Sequence, residues 1–200
     1  MPGWRLAGFA PAAVVVALAS GSAAAQIMIV GNDAKVSWDA AGKLSRHEAG
    51  HDTLSIVDMS KPAALRIIAT IPLDNSIVGP PTNLAITPSR EIALVANSVN
   101  GVPKDGGFDV VSDDRLFVID LKASPLAVIA TLTLGKKPSG MAINAAGTLA
   151  LVANRDDGTV SVLSIDGKMV KLIGSVSVGT AADSVSAVAI TPDGKRALAR

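Results

Sequence analysis

Leu84-Ala-Ile-Thr-Pro-Ser-Arg-Glu-Ile-Ala-Leu-Val-Ala-Asn97 and Met141-Ala-Ile-Asn-Ala-Ala-Gly-Thr-Leu-Ala-Leu-Val-Ala-Asn154 are two copies of one unit, and their recurrence decides the fold. A third copy begins at Val188 and runs Val188-Ala-Ile-Thr-Pro-Asp-Gly-Lys-Arg-Ala-Leu-Ala-Arg200. Each is a short β-rich run, a turn built from Pro, Ser, Asp or Gly, and a second β-rich run, which is a hairpin pattern. Two further elements follow. The first is Thr53-Leu-Ser-Ile-Val-Asp58, Arg115-Leu-Phe-Val-Ile-Asp120 and Thr159-Val-Ser-Val-Leu-Ser164. The second is Ile67-Ile-Ala-Thr-Ile-Pro-Leu73, Val128-Ile-Ala-Thr-Leu-Thr-Leu134 and Leu172-Ile-Gly-Ser-Val-Ser-Val178.

Each repeat therefore has four strands, A to D in chain order. The irregularity lies in two connections. From the Asn that closes strand B to the start of strand C there are 21, 18 and 5 residues in successive repeats, and the D-to-A connection varies as well. With both connections trimmed to their shortest forms, the first two periods become about 45 and 44 residues. Four short strands at that period make a β-propeller blade, and no 3.6-residue apolar stripe supports a helical repeat. Strands A and B are apolar nearly throughout, as strands covered on both faces should be. Strand C alternates more, which places it nearer solvent. The fold class is all-β.

The chain begins differently. Arg5 is the sole charge before an Ala/Val-rich run from Leu6 to Ala19, and Ala23-Ala24-Ala25 follows as a small-residue cleavage signature. Residues 1–25 read as a signal peptide, with a mature start at Gln26 and a periplasmic or secreted destination. The apolar run falls short of the roughly 20 residues of a spanning helix, and no later stretch is uniformly apolar, so no stable membrane span is expected after cleavage. Without Arg5, 17 basic residues face 17 acidic ones. A balanced mature chain, from a full sequence with only two Trp, three Phe and no Tyr, gives no case for nucleic acid or for an anionic membrane surface. The absence of Cys excludes thiolate metal sites, c-type haem attachment and Cys nucleophiles from this segment.

Thr191-Pro-Asp-Gly-Lys, Leu149-Ala-Leu-Val-Ala-Asn154 and Gly158-Thr-Val-Ser-Val162 together resemble the YVTN-type propeller repeat, which also occurs in lactonase-like and surface-layer propellers. The resemblance covers nearly all of 26–200 outside the enlarged connections. It departs from the WD40 pattern, since strand C ends in Val57-Asp58 and Ile119-Asp120 without a Trp-Asp pair. The mature sequence opens in strand B and stops in strand B, about three and a half blades, whereas rings hold four to eight. The expectation is a partial propeller domain over 26–200, truncated at its C-terminus and about half of a seven-bladed ring.

The resemblance implies that B–C and D–A connections share one ligand-binding face. The long connections are 33–52, 98–114 and 74–83, and long loops in a regular repeat tend to carry function. The first holds His47-Glu48-Ala49-Gly50-His51, a literal H-E-x-x-H. A zinc protease would need that motif on a helix with a third ligand further on, and here Gly50 interrupts it and no later His exists. His47, Glu48 and His51 stand as candidate ligand contacts, with His47 and His51 as weak metal candidates. The second holds Asp105, Asp109, Asp113 and Asp114 among glycines, oxygen ligands that could hold Ca²⁺ although the spacing is not an EF-hand's. Asp105 and Asp109 are candidate ligand contacts, and Asp109 and Asp113 candidate metal ligands. Asn97 and Asn154 are expected to bond local backbone, and Asp156-Asp157 to make a turn. At the inner ends of strands A stand Asn83, Ser139 and Ser186, polar but unreactive. Catalytic residues stay unassigned and no cofactor is evident in this segment. The expected function is an exported binding or scaffold propeller presenting its loop face to a protein, glycan or small-molecule ligand. The alternatives are a lactonase-like hydrolase or cofactor-dependent oxidoreductase with its site at the ring centre, or a metal-dependent activity of the 47–51 loop.

Overall fold

The computed structural model describes residues 26–200 except 48–49, 77–81 and 106. The leader and Glu48 lie outside the described residues. The order is β1 (Ile27–Asn32), β2 (Val36–Trp38), β3 (Leu44–Arg46), β4 (Thr53–Asp58), β5 (Arg66–Pro72), β6 (Leu84–Ile86), β7 (Ile92–Ala96), β8 (Val99–Lys104), β9 (Gly107–Ser112), β10 (Arg115–Asp120) and β11 (Ala127–Thr133). Then come β12 (Pro138–Ile143), β13 (Leu149–Asn154), β14 (Thr159–Asp166), β15 (Met169–Ser177), a 3₁₀ turn (Ala181–Asp183), β16 (Val188–Ile190) and β17 (Ala197–Ala199).

The strands form antiparallel sheets in the order the repeat requires. The first blade is β1-β4-β5, strands B, C and D. The second is β6-β7-β10-β11 and the third β12-β13-β14-β15, each a full A-B-C-D set, and β16-β17 is the A–B hairpin of the next. Strands A lie against one another at the inner side. The Gly140 N–H donates to the Ser186 carbonyl at 2.9 Å and the Met141 N–H to the Thr82 carbonyl at 3.1 Å, linking three successive blades.

Side-chain alternation explains why the blades stack. In β7, Ala93 and Val95 turn towards the first blade and join Ile29, Leu54, Ile56 and Leu73, with Phe117 and Ile119 of β10. The intervening Ile92, Leu94 and Ala96 turn the other way and meet Met141, Ala150, Val152, Leu163 and Ile165 of the third blade. A period of two thus gives one strand two buried faces, and all five residues of β7 are fully buried.

Two expectations need correction. Strand C is not generally nearer solvent: β4 and β10 are buried along nearly their whole length, and only β14 alternates between buried and half-buried positions. The exposed strand is D, where β5 and β15 are exposed at most positions. The enlarged B–C connections are also not irregular loops. The first folds as hairpin β2–β3 with Trp38 opposite Leu44, and the second as hairpin β8–β9 with Val102 opposite Asp109 and Lys104 opposite Gly107. The short third connection is the tight turn its sequence implied, with Gly158 at φ +63°.

Candidate functional site

B–C and D–A connections meet on one face. The Leu73 N–H donates to the Asp52 carbonyl at 3.1 Å, and the equivalent Leu134 N–H donates to the Asp114 carbonyl at 2.8 Å. Side chains then join the connections across the blade seams.

In the first blade, Lys35 is buried where hairpin β2–β3 leaves β1. Its ammonium pairs with the carboxylate of Asp52, lies 3.1 Å from Asp33 and donates to the Asn75 carbonyl at 3.0 Å. Asp52 also accepts the backbone N–H groups of Ala34 (3.0 Å) and Asn75 (3.2 Å). A buried charge is tolerated only when paired and bonded in this way. The cluster pins the base of the hairpin to the D–A connection.

In the second blade the same task falls to Asp113, which accepts from six groups. They are the side-chain amides of Asn97 (2.9 Å) and Asn100 (2.8 Å), Nε and Nη2 of Arg115, and the backbone N–H groups of Asp114 and Arg115. Burial opposes the charge on Asp113, but the Arg115 guanidinium, the Arg115 N–H and the Asn97 amide outweigh it and hold the carboxyl below its ordinary range. Arg115 also pairs with Asp74 of the first blade at 3.0 Å and lies 5.3 Å from the centre of the Phe117 ring.

The next seam is closed by Asp156. It accepts the Ser112 hydroxyl at 2.5 Å and the Lys137 ammonium at 3.3 Å, and chiefly that hydroxyl bond holds its carboxyl low. Lys137 sits at φ +57°, a conformation costly for a side-chain-bearing residue. It is held there because its N–H donates to the Asp113 carbonyl (2.7 Å) and its own carbonyl accepts from Arg155 (3.1 Å). Between Ser112, Asp113, Asp114, Lys136 and Asp156 an open cleft of about 570 Å³ remains.

The residues singled out from sequence are distributed differently. His47 is exposed, with Nε2 2.6 Å from the Ser37 hydroxyl across hairpin β2–β3. His51 is exposed, as is Asp105, and Asp109 is exposed and paired with Lys104 at 2.5 Å. Asp113 is saturated by its donors. Among the described residues no three His, Cys, Asp or Glu side chains are grouped to hold a metal ion. Asn97 and Asn154 do not bond local backbone through their side chains, a further correction. Asn154 donates to the hydroxyls of Thr159 and Ser161, both at 2.9 Å, and Asn97 to Asp113 and Asn100. Lys35, Asp52, Arg115 and Lys137 escaped the sequence reading. One signal was available: Arg115 stands where the other two repeats have Thr53 and Thr159.

Stacked A-to-D sheets with their connections gathered on one face define a β-propeller, and the comparisons with solved structures agree. No family model matches the sequence, and no curated protein matches it. Hydrazine synthase of Kuenenia stuttgartiensis aligns with a TM-score of 0.55 at 18% identity, over 82% of this chain and 54% of that one. A protein described as a candidate 6-phosphogluconolactonase of Bacteroides uniformis aligns with a TM-score of 0.55 at 14% identity, over 86% and 60%. Sqt1 of Chaetomium thermophilum, solved bound to the N-terminus of ribosomal protein L10, aligns with a TM-score of 0.52 at 15% identity, over 76% and 38%. The chain thus spans less than two thirds of each of these structures. Identities this low establish the fold alone.

Proposed function

We propose that the chain belongs to an exported, YVTN-type propeller of seven blades that binds a protein partner through its loop face. One observation carries the reading. The buried and clustered charges, Lys35 with Asp52, Arg115 with Asp113 and Asp74, and Lys137 with Asp156, are engaged with one another, whereas the hairpins expose apolar side chains: Trp38 (65%), Leu44, Val102, Val110 and Val111. An exposed Trp beside aliphatic residues is the composition of an interface anchor rather than of a reaction centre. The Sqt1 structure, solved bound to the N-terminus of ribosomal protein L10, supports the same direction. A photo-crosslinker placed at Ser37 of the exported full-length protein should yield a discrete protein adduct that Trp38→Ser removes. Crosslinking indifferent to Trp38→Ser sinks the reading.

A lactonase-like activity is the second reading, supported by the cleft at Ser112, Asp114 and Asp156 and by the Bacteroides neighbour. Under the binding reading, the full-length protein leaves hydrolysis of glucono-δ-lactone at the buffer rate. Hydrolysis that Asp156→Asn abolishes would replace the first reading with this one. Export has its own check: N-terminal sequencing of the mature protein should start at Gln26, and a retained Met1 contradicts it.

A further inference from the structure

The outer rim carries a surface that the loop-face reading leaves unused. In β5, β11 and β15 the pairing with strand C slips at the same place. Ile56 pairs with Ala69 but Val57 with Ile67, which leaves Ile68 as an extra residue. Ile129 and Ile173 are extra in the same way. Such a bulge twists a free edge and opposes pairing with another strand. At each bulge two consecutive aliphatic side chains are exposed: Ile67 (64%) with Ile68 (50%), Val128 with Ile129, and Leu172 with Ile173 (60%). Scattered exposed apolar residues are ordinary, but a pair at the same position of every described strand D is a pattern. Between the first two blades the rim also opens an apolar groove of about 380 Å³, lined by Ile56, Ile68, Ile71, Leu121, Pro125 and Leu126 among others.

The charge on this rim is mainly positive, with Asp58, Asp120 and the exposed Asp166 at the ends of strands C as its acidic groups. The C–D turns and strands D, residues 59–72, 121–133 and 167–177, contain Lys61, Arg66, Lys122, Lys168 and Lys171 and no Asp or Glu. Arg66 and Lys168 pair with Asp58 and Asp120 at the ends of strands C, at 3.3 and 2.7 Å. Lys61, Lys122 and Lys171 are exposed and have no ion pair among the described residues. The balance of 17 against 17 therefore conceals unpaired cations at the rim, whereas on the loop face Asp52, Asp113 and Asp156 are paired with Lys35, Arg115 and Lys137.

This combination selects the occupant. A second copy meeting rim to rim would set cations against cations. A strand added to the edge is opposed by the bulges. Protruding aliphatic pairs among lysines, beside an apolar groove, match an interface whose surface is anionic and whose interior is apolar. We propose that the outer rim, centred on the seam of the first two blades, docks on an anionic lipid bilayer. In that contact Ile67, Ile68 and Ile129 enter the acyl boundary, while Lys61 and Lys122 meet the headgroup phosphates.

The test is flotation of the full-length mature protein with vesicles of phosphatidylcholine, alone or mixed with phosphatidylglycerol. Partition into the mixed vesicles alone is expected, weakening as salt rises. Lys61→Glu with Lys122→Glu should lower it by more than about tenfold, since each cation near such a surface is worth about fivefold. Ile67→Ser with Ile68→Ser should lower it comparably. Both positions are exposed, so an unchanged melting temperature checks the fold of these variants. Absence of binding to mixed vesicles overturns the proposal, as does equal binding to both compositions. So does wild-type partition by the lysine variant, which would assign those cations to guarding a sheet edge.

Discussion

Gly140→Ala lowers the stability of the full-length protein by about 2–3 kcal/mol, the upper part of the range for overpacking. A Cβ on Gly140 would lie 2.5 Å from the Ser186 carbonyl oxygen and 2.8 Å from the Ala187 Cα, both backbone atoms of the next blade. The Thr82 hydroxyl on the other side would be 3.0 Å away. Backbone cannot rotate aside as a side-chain tip can, so inner strands must separate, and the bonds from Gly140 to Ser186 and from Met141 to Thr82 weaken together. Gly140→Val, with two more carbons, should prevent the inner strands from assembling. The control is Gly174→Ala in β15, where an added Cβ meets nothing within 4 Å. That variant should stay within about 0.5 kcal/mol of wild type or gain slightly. Urea midpoints of the three proteins decide the matter, and equal midpoints for Gly140→Ala and Gly174→Ala would refute the stitched inner seam.

The architecture was legible because a blade needs little beyond alternation and turns. In the run from Leu84 to Asn97, the apolar residues fix two strands and Pro88-Ser89 the turn between them. Strand C was misplaced for a physical reason. Ser55 and Ser161 look like the solvent-facing half of an alternating strand, yet both are buried, with hydroxyls bonded to the Asn that closes strand B. A pattern of polar and apolar letters cannot distinguish a hydroxyl turned to water from one satisfied inside. The β8–β9 hairpin could have been found, since Asp105-Gly106 between Val-rich runs is a strong two-residue turn signal. The β2–β3 hairpin offered less, with three residues in each strand.

The site was less legible because residue type directed the search. His47, His51, Asp105 and Asp109 attracted notice as potential ligands, and all four are exposed, with no common cluster. Several of the groups that build the loop face meet across seams, and the separations of those in sequence come close to one repeat. Arg115 reaches back 41 residues to Asp74, Ser112 forward 44 to Asp156, and Ser98 forward 40 to the Pro138 carbonyl. On the opposite side of the blades Lys168 reaches back 48 to Asp120. In a ring of repeats, facing positions on neighbouring blades are one period apart. A search for complementary charges offset by about one repeat, rather than for clusters within one loop, would have found Arg115 with Asp74 and Lys168 with Asp120.

Asp113 is where such a seam contact bears the most weight. Asp113→Ala should cost about 3 kcal/mol, at the lower end for breaking a buried pair because Arg115 keeps some access to water. The loss arises from what is left behind: Asn97, fully buried, retains an amide without its carboxylate, and Arg115 keeps Asp74 as its ion partner, beside the Phe117 ring. Asp113→Asn should cost less, since an amide oxygen can still accept from Asn97 and from the backbone. The pH dependence carries a definite sign. The folded carboxyl titrates below its ordinary value of 3.8, so the ionised form binds to its partners more strongly in the folded state. Its stabilisation is fully present above that value and is lost as the pH falls through the depressed folded pKa. Asp58, Asp120, Asp156, Asp183 and Asp193 are shifted in the same direction, so wild type alone would report the sum of all six. The difference in urea midpoint between wild type and Asp113→Asn isolates the one group. It should be constant above about pH 5 and shrink as the pH drops below 3.8. A difference that stays level down to the acid limit would mean that Asp113 holds Arg115, Asn97 and Asn100 by shape and not by charge.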